Sequence, residues 1–464
     1  MPQDSAEKNN GNVGYLLLLT ITAALGGLLF GYDTAVISGA VGFLQAHFQL
    51  SAGLKGWAAS SALIGCIVGA MFGGPLSDRY GRKKMLLFCA ALFALSGIAS
   101  ALPRTLTQFV WARFAGGFAI GAVSVLSPLY IAEIAPERIR GCLVSLYQLA
   151  IVVGILVVFF VNMIIQRMGS ETWNIAYGWR WMMGSLTLPS ALFGFLLIPI
   201  PESPRWLMKV GRKAEAETVL VRVGGREAAD RELKQIEDSL NQEEGRFFEL
   251  FTGGYSRALI VGVALAVVCQ FSGINAIMYY APEIFKSIGA GRDAAFTQTV
   301  SIGVVNLLFT FVAIWLVDRA GRKALLVGGS VVQVIALIAV GVMFAKGIGG
   351  LWLLIFIVMF TGSFAAAMGP VPWIVISEIF PTKIRGQAMS VATLVLWASC
   401  YIVSQTFPML VDTIGNAKTF WIYALCSFAG LIFVVFVVPE TKGKTLEEIE
   451  QSWSKSQGRF LPRS

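Results

Sequence analysis

Two ionisable residues lie inside long apolar stretches, where a charge is costly enough to mark function. Asp33 closes the run Phe30-Gly31-Tyr32-Asp33, and Arg113 lies near the start of the stretch at 107–129. Counted from stretch ends near 38 and 107, each sits about 8 Å from the same edge of the membrane at the helical rise, so the two can meet. Desolvation raises the proton affinity of a buried carboxylate and a neighbouring guanidinium lowers it. An arginine that approached and withdrew would therefore switch a proton on and off; the alternative is a static structural pair. A second set is neutral: Gln148, Gln270, Asn275 and Asn306, with the aromatics Tyr279, Tyr280 and Trp373. Amides offer paired hydrogen bonds and aromatic rings a stacking face, which suits a ligand rich in hydroxyls; amides also glue helices together. Gln270 and Asn275 would point about 140° apart on an unbroken helix. Gly273 between them would let the helix break, so that both could face one ligand. Gly369, Pro370 and Pro372 weaken the backbone ladder around Trp373, which suits a gate that bends. The single histidine, His47, falls in the first connection, and the six cysteines show no CxxC spacing. Neither a metal centre nor a disulfide framework is expected, and proton chemistry falls to carboxylates.

The elements that position these residues follow from composition. The chain of 464 residues is 56% hydrophobic and 14% charged, with a mean hydropathy of +0.71, whereas soluble domains carry about 25% charge. Only a helix satisfies its own backbone in hydrocarbon, and a crossing takes roughly 20 apolar residues. Twelve stretches qualify, at roughly 14–38, 56–77, 84–102, 107–129, 142–165, 178–200, 257–284, 296–317, 324–345, 351–376, 387–410 and 419–438. They are called spans 1 to 12 below. The first is too long for a signal-peptide core and lacks a cleavage site, so it reads as a retained span; no lipidation motif is visible. Lys and Arg cluster after the even-numbered spans, as at Arg79–Lys84, Arg138–Arg140, Arg205–Lys213 and Arg319–Lys323. The positive-inside rule places those loops and both termini in the cytoplasm. The net charge of +9 then needs no nucleic acid to answer it. The divisions expected are a six-helix bundle over 1–200, a polar linker over 201–256, a second bundle over 257–440 and a cytoplasmic tail over 441–464. Apolar residues three or four apart predict short amphipathic helices at 212–223 and 227–241 in the linker, and a further run at Leu446–Trp453 in the tail. A disordered linker is the alternative.

The chain is also doubled. Asp78-Arg79-Tyr80-Gly81-Arg82-Lys83 returns 240 positions later as Asp318-Arg319-Ala320-Gly321-Arg322-Lys323. Glu133 to Gly141 returns as Glu378 to Gly386, and Pro201-Glu202-Ser203 as Pro439-Glu440-Thr441. A repeated pattern of apolar spans points to a transporter of two like halves. Asp78, Arg82, Glu133, Arg140 and Glu202, with their second-half partners Asp318, Arg322, Glu378, Arg385 and Glu440, lie at the ends of spans near the basic loops. Such groups form charge-assisted networks, expected here to latch an intracellular gate in one state and to part in another; setting topology is the alternative.

Taken together and in this order, the Gly-Arg-Lys loops, the paired Glu-x-x-Pro-x-x-Ile-Arg-Gly segments, Pro201-Glu202-Ser203-Pro204-Arg205 and Pro439-Glu440-Thr441-Lys442-Gly443 resemble the signature set of the major facilitator superfamily, specifically its sugar porter family. The resemblance implies an all-α integral membrane fold of twelve transmembrane helices in two pseudo-symmetric six-helix bundles. It implies import of a monosaccharide, pentose or hexose, by proton symport through alternating access. Asp33 with Arg113 would couple the proton. Gln148, Gln270, Asn275, Asn306 and Trp373 would contact the sugar, and Phe30, Tyr279 and Trp397 would line its pocket. Cys269, Leu396 and Cys400 stand where the family usually carries polar residues, which leaves the particular sugar open. No enzyme motif, cofactor site or channel filter is visible, and function as a monomer in the plasma membrane is expected. A proton-independent uniporter and an exporter of the same fold are the nearest rivals; the short tail argues against a nutrient sensor.

Overall fold

The computed structural model describes residues 11–240, 247–251, 253–380 and 382–442; the expected run at Leu446–Trp453 lies outside them. Among the described residues the structure is helical, with no strand. Side chains start several spans. Asn12 accepts from the Tyr15 N–H at 2.9 Å ahead of Val13–Phe48, and Ser51 and Thr105 cap Ala52–Tyr80 and Leu106–Ile134 in the same way. Gly81 (φ 103°) and Gly321 (φ 90°) turn span 2 into span 3 and span 8 into span 9, at backbone angles that suit glycine.

Among the described residues, ten helices are long and apolar enough to cross a membrane. One of them, in Thr382–Phe436, holds spans 11 and 12, interrupted at Gly415 (φ 82°, ψ 163°). The sixth span was expected as one piece over 178–200. Instead a π-turn at Asn174–Gly178 leads into two segments, Trp179–Gly184 and Thr187–Leu197. Pro189 has no N–H to give the Ser185 carbonyl, which accounts for the gap. With these two resolved, the architecture is twelve helices in two six-helix bundles. Span 1 also departs from expectation: its helix runs on to Phe48 and ends at Gln49 in the left-handed region. His47 therefore lies in the last helical turn, against Phe48 and Trp179, and not in a loop.

Small residues bring the site-bearing helices together. A Cβ on Gly117 of span 4 would lie 1.8 Å from the Ala62 carbonyl oxygen of span 2. One on Gly31 of span 1 would lie 1.9 Å from the Ile151 oxygen of span 5. Those close approaches fix the helices that carry Arg113 and Asp33. Between the bundles, span 2 packs on span 11 and span 5 on span 8. In the linker, helices Pro204–Lys209, Lys213–Gly224 and Arg226–Leu240 close over an apolar cluster that includes Trp206, Leu207, Leu220, Leu233 and Ile236. The two amphipathic helices expected at 212–223 and 227–241 correspond to the second and third of these. The linker is tied to span 1 where the Asn12 N–H donates to the Arg222 carbonyl at 3.0 Å and the Arg222 guanidinium sits 3.8 Å from the Tyr15 ring centre.

Candidate substrate and proton site

Asp33 and Arg113 meet as their spacing predicted, though not at matched distances from their helix ends, because span 1 overruns. Asp33 is 0% exposed and Arg113 2%. Arg113 Nη1 pairs with Asp33 Oδ1, and Nη2 donates to the Asp33 backbone carbonyl at 3.0 Å. Asp33 Oδ2 has no partner among the described residues. It faces Gly116, where a Cβ would lie 2.9 Å from that oxygen and 2.4 Å from Ser96 Oγ. Ser96 in turn donates to the Ala112 carbonyl at 2.8 Å. The carboxylate thus has one oxygen held by the cation and one left open. Removing either charge would strand the other, at a cost of about 3–5 kcal/mol.

The neutral set gathers around a broken helix. Span 7 stops at Phe271 and resumes at Ile274, with Gly273 at φ 86°. Across the break the Asn275 amide donates to Gln270 Oε1. Tyr423 of span 12 backs the break: a Cβ on Gly273 would lie 2.8 Å from its ring. Phe30 of the first half and Trp397 of the second face each other with ring centres 5.5 Å apart, and the buried Trp397 Nε1 has no partner among the described residues. Tyr279 is buried beside Cys400, and the Cys269 thiol donates to the Met368 carbonyl at 3.3 Å. Met368 closes a π-turn, Phe364–Met368, ahead of the expected break at Gly369–Pro370. Asn306 is buried, while Gln148 and Trp373 are half-buried. No described hydrogen bond joins these three to the rest.

At the basic-loop end the two copies of the repeat form related clamps. Arg82 makes two 3.0 Å bonds to Glu133 and lies 2.7 Å from Asp78, which also pairs with Lys209 at 3.2 Å. Arg322 donates to Glu378 at 3.0 Å. Glu202 receives the Lys83 N–H at 3.0 Å, and Glu440 receives those of Arg322 and Lys323 at 3.1 and 3.0 Å. Among the described contacts, neither clamp reaches the other half. Their described bonds differ: Arg82 makes two to Glu133 where Arg322 makes one to Glu378, and Ser203 donates to Glu133, whereas Thr441 Oγ1 and Glu378 Oε2 have no partner among the described residues. Arg140 reaches Glu232 of the linker at 3.4 Å and the Ala135 carbonyl. Arg385 binds the Phe380 carbonyl at 3.3 Å and no gate carboxylate among the described contacts. The Asp318 side chain lies outside the described residues.

Residues 19–453 match the family model described as sugar (and other) transporter. The chain belongs to this sugar transporter family. It is 45% identical to an arabinose-proton symporter of Bacillus subtilis over 96% of both chains. It is 41% identical to the D-xylose-proton symporter of Escherichia coli K12, covering 95% of this chain and 96% of that one. Among solved structures, the inward open conformation of the xylose transporter XylE from E. coli superposes with a TM-score of 0.86 at 40% identity, over 94% of this chain and all of that one. XylE bound to 6-bromo-6-deoxy-D-glucose gives 0.80 at 42% identity, over 95% and 100%.

In this family member the halves touch at the end away from the basic loops. Gln166 of span 5 donates to Asp293 at 2.9 Å and Arg167 to Thr297 at 3.0 Å. Ser60 of span 2 donates to Gln405 of span 11 at 2.9 Å, and Lys55 Nζ lies 3.2 Å from Glu283 Oε2. Sequence reasoning missed this set, together with Ser96 and Gly116. Glu283 carried the same signal as Asp33, an ionisable group inside an expected span. Lys55 fell one residue outside span 2.

Proposed function

We propose that this protein imports a monosaccharide, pentose or hexose, together with a proton, by alternating access of its two bundles. The observation that carries the reading is the Asp33–Arg113 pair: fully buried, with one carboxylate oxygen open to receive a proton. Proton uptake on that oxygen would weaken the hold of Arg113 and free both helices to shift. Gln148, Gln270, Asn275, Asn306 and Trp373 would bind sugar hydroxyls, and Phe30, Tyr279 and Trp397 would line the pocket. The Gln270–Asn275 bond would then open to take the ligand. The relatives named above carry arabinose and xylose, so a pentose is the first cargo to try.

With the basic loops and both termini in the cytoplasm of a plasma-membrane protein, the polar contacts between the halves fall on the outside and the clamps inside are parted. That is an inward-facing state. The bundles would divide as 1–200 and 257–440, around a linker at 201–256 and ahead of a tail at 441–464, in a protein that acts as a monomer and binds no nucleic acid.

Uptake of labelled sugars into proteoliposomes, with and without an imposed proton gradient, tests the reading. The expected result is gradient-driven accumulation by the wild type, and sugar exchange without accumulation by Asp33→Asn. Full accumulation by that variant would overturn the coupling role and leave Asp33 and Arg113 a static structural pair. Uptake of no sugar at all would favour the exporter.

A further inference from the structure

Glu283 stands where the two halves meet. It lies one turn before the end of Ile274–Lys286, the outer piece of span 7, and each of its oxygens has an ammonium partner. Oε2 is 3.2 Å from Lys55 in the first half, and Oε1 is 3.3 Å from Lys286 in its own. The carboxylate also rests on span 1, because a Cβ on Gly42 would lie 2.3 Å from Oε1. Lys286 sits 5.0 Å from the ring centre of Phe43, in the first half, and 5.8 Å from that of Phe296, in the second. The Lys55 side chain is 12% exposed and that of Glu283 26%, so the pair is screened less than a surface pair. Among the described ion pairs it alone joins the two bundles. Lys55 also runs against the charge bias of the chain, since it lies at the end away from the basic loops. Topology gives no reason for a lysine there.

Parting the halves at this end removes different things from each side. The second half keeps Glu283 with Lys286, and Lys286 with Phe296, a neutral unit that stays satisfied. The first half keeps a lysine with no partner and loses the cation over Phe43. The remaining polar contacts between the halves join a charged to a neutral group, or two neutral ones, and depend less on charge.

We propose that the Lys55–Glu283 pair is the outer latch of this transporter, and that Lys55 is a positioning residue which sets the balance between inward- and outward-facing states. The proposal rests on the alternating-access reading above. Loss of the lysine charge shifts that balance toward outward-facing by about tenfold, the equivalent of about 1.4 kcal/mol, and reversal of the charge shifts it further. Concentrated salt weakens the wild-type latch and leaves a neutral variant unmoved.

The test uses the full chain in lipid nanodiscs, with spin labels at Leu54 and Ile348, exposed positions in the two halves. Distance distributions are recorded for wild type and for Lys55→Arg, Lys55→Gln and Lys55→Glu, with and without xylose, at low and at molar NaCl. The expected result is a longer outer distance in Lys55→Gln, more so in Lys55→Glu, a wild-type distribution in Lys55→Arg, and a salt response in the wild type that Lys55→Gln lacks. Unchanged distributions in both charge variants overturn the latch. If wild type still shows two distances that xylose rebalances, alternating access survives that failure. A single distance in every condition sinks both. Unfolding temperatures for the four proteins exclude a plain folding defect: the Lys55→Gln shift counts only where its melting matches that of Lys55→Arg.

Discussion

At the scale of single residues, the proposed proton site depends on what is missing as much as on what is present. Asp33 Oδ2 is free because residue 116 has no side chain to crowd it. Gly116→Ala would push a methyl into Asp33 or Ser96, and overpacking of this kind costs about 1–3 kcal/mol. The expected outcome is loss of most gradient-driven accumulation with a modest fall in unfolding temperature, checked by uptake and by thermal unfolding in detergent. Accumulation at the wild-type level would mean that the open oxygen has room to spare. Asp33 and Arg113 were legible because charge inside an apolar run is rare. Gly116 was not, since a glycine that guards a carboxylate reads like any glycine in a helix contact. Glu440 adds a pH test outside the spans. Burial acts to raise its carboxyl, but the N–H groups of Lys442, Lys323, Arg322 and Thr441 outweigh burial and hold it below its ordinary value of 4.5. A lowered folded-state value means stability present above the ordinary value and lost as pH falls through the folded one. The unfolding-temperature gap between wild type and Glu440→Gln should therefore be open at about pH 7 and close as pH falls from the ordinary value through the lowered folded-state one. A gap that stays constant would show that the carboxylate charge is not what the backbone donors hold.

At the scale of elements, breaks in helices position the site, and some breaks are written plainly while others are not. Gly273 and the Gly369–Pro370 pair announced theirs through residue type. The gap in span 6 follows from Pro189, but hydropathy runs through it unchanged, so a count of apolar residues saw one span. The overrun of span 1 was invisible because Gly39, Gly42, Gln45 and His47 interrupt the apolar run of residues 39–48 without stopping the helix, which ends only at Gln49. Apolarity marks the membrane, whereas propensity and capping mark the helix. The break at Gly273 makes a prediction of its own. Alanine there meets two penalties, a left-handed backbone that costs about 1–2 kcal/mol without glycine, and the ring of Tyr423 at 2.8 Å. Gly273→Ala should abolish uptake, and Tyr423→Ala in the same chain should restore part of it by making room, leaving the backbone penalty. Initial rates for the two single variants and the double variant decide this. No recovery in the double variant would show that Tyr423 does not hold the break.

At the scale of the whole molecule, the duplicated motifs build two clamps at the basic-loop end, while the proposed proton and sugar contacts sit in unrepeated residues. The sequence made the doubling plain, but not the inequality between the copies. In the first clamp Ser203 completes the set around Glu133; in the second, the Thr441 hydroxyl and one oxygen of Glu378 are unmatched among the described residues. Arg82 is also the more deeply enclosed, with a side chain 6% exposed against 14% for Arg322. Stranding a more buried carboxylate costs more, up to about 3–5 kcal/mol, so Arg82→Ala should lower the unfolding temperature more than Arg322→Ala. Because each clamp closes within its own half here, the two losses should also add. Variations at sites without shared partners combine to within about 0.5 kcal/mol. Thermal unfolding of the single and double variants in detergent, where no gradient drives the cycle, gives the comparison. A double variant markedly less destabilised than the sum would mean that the clamps also hold each other across the halves, as they would in an inner gate that is shut. Repeating the measurement with saturating sugar then asks whether the ligand itself draws the two clamps together.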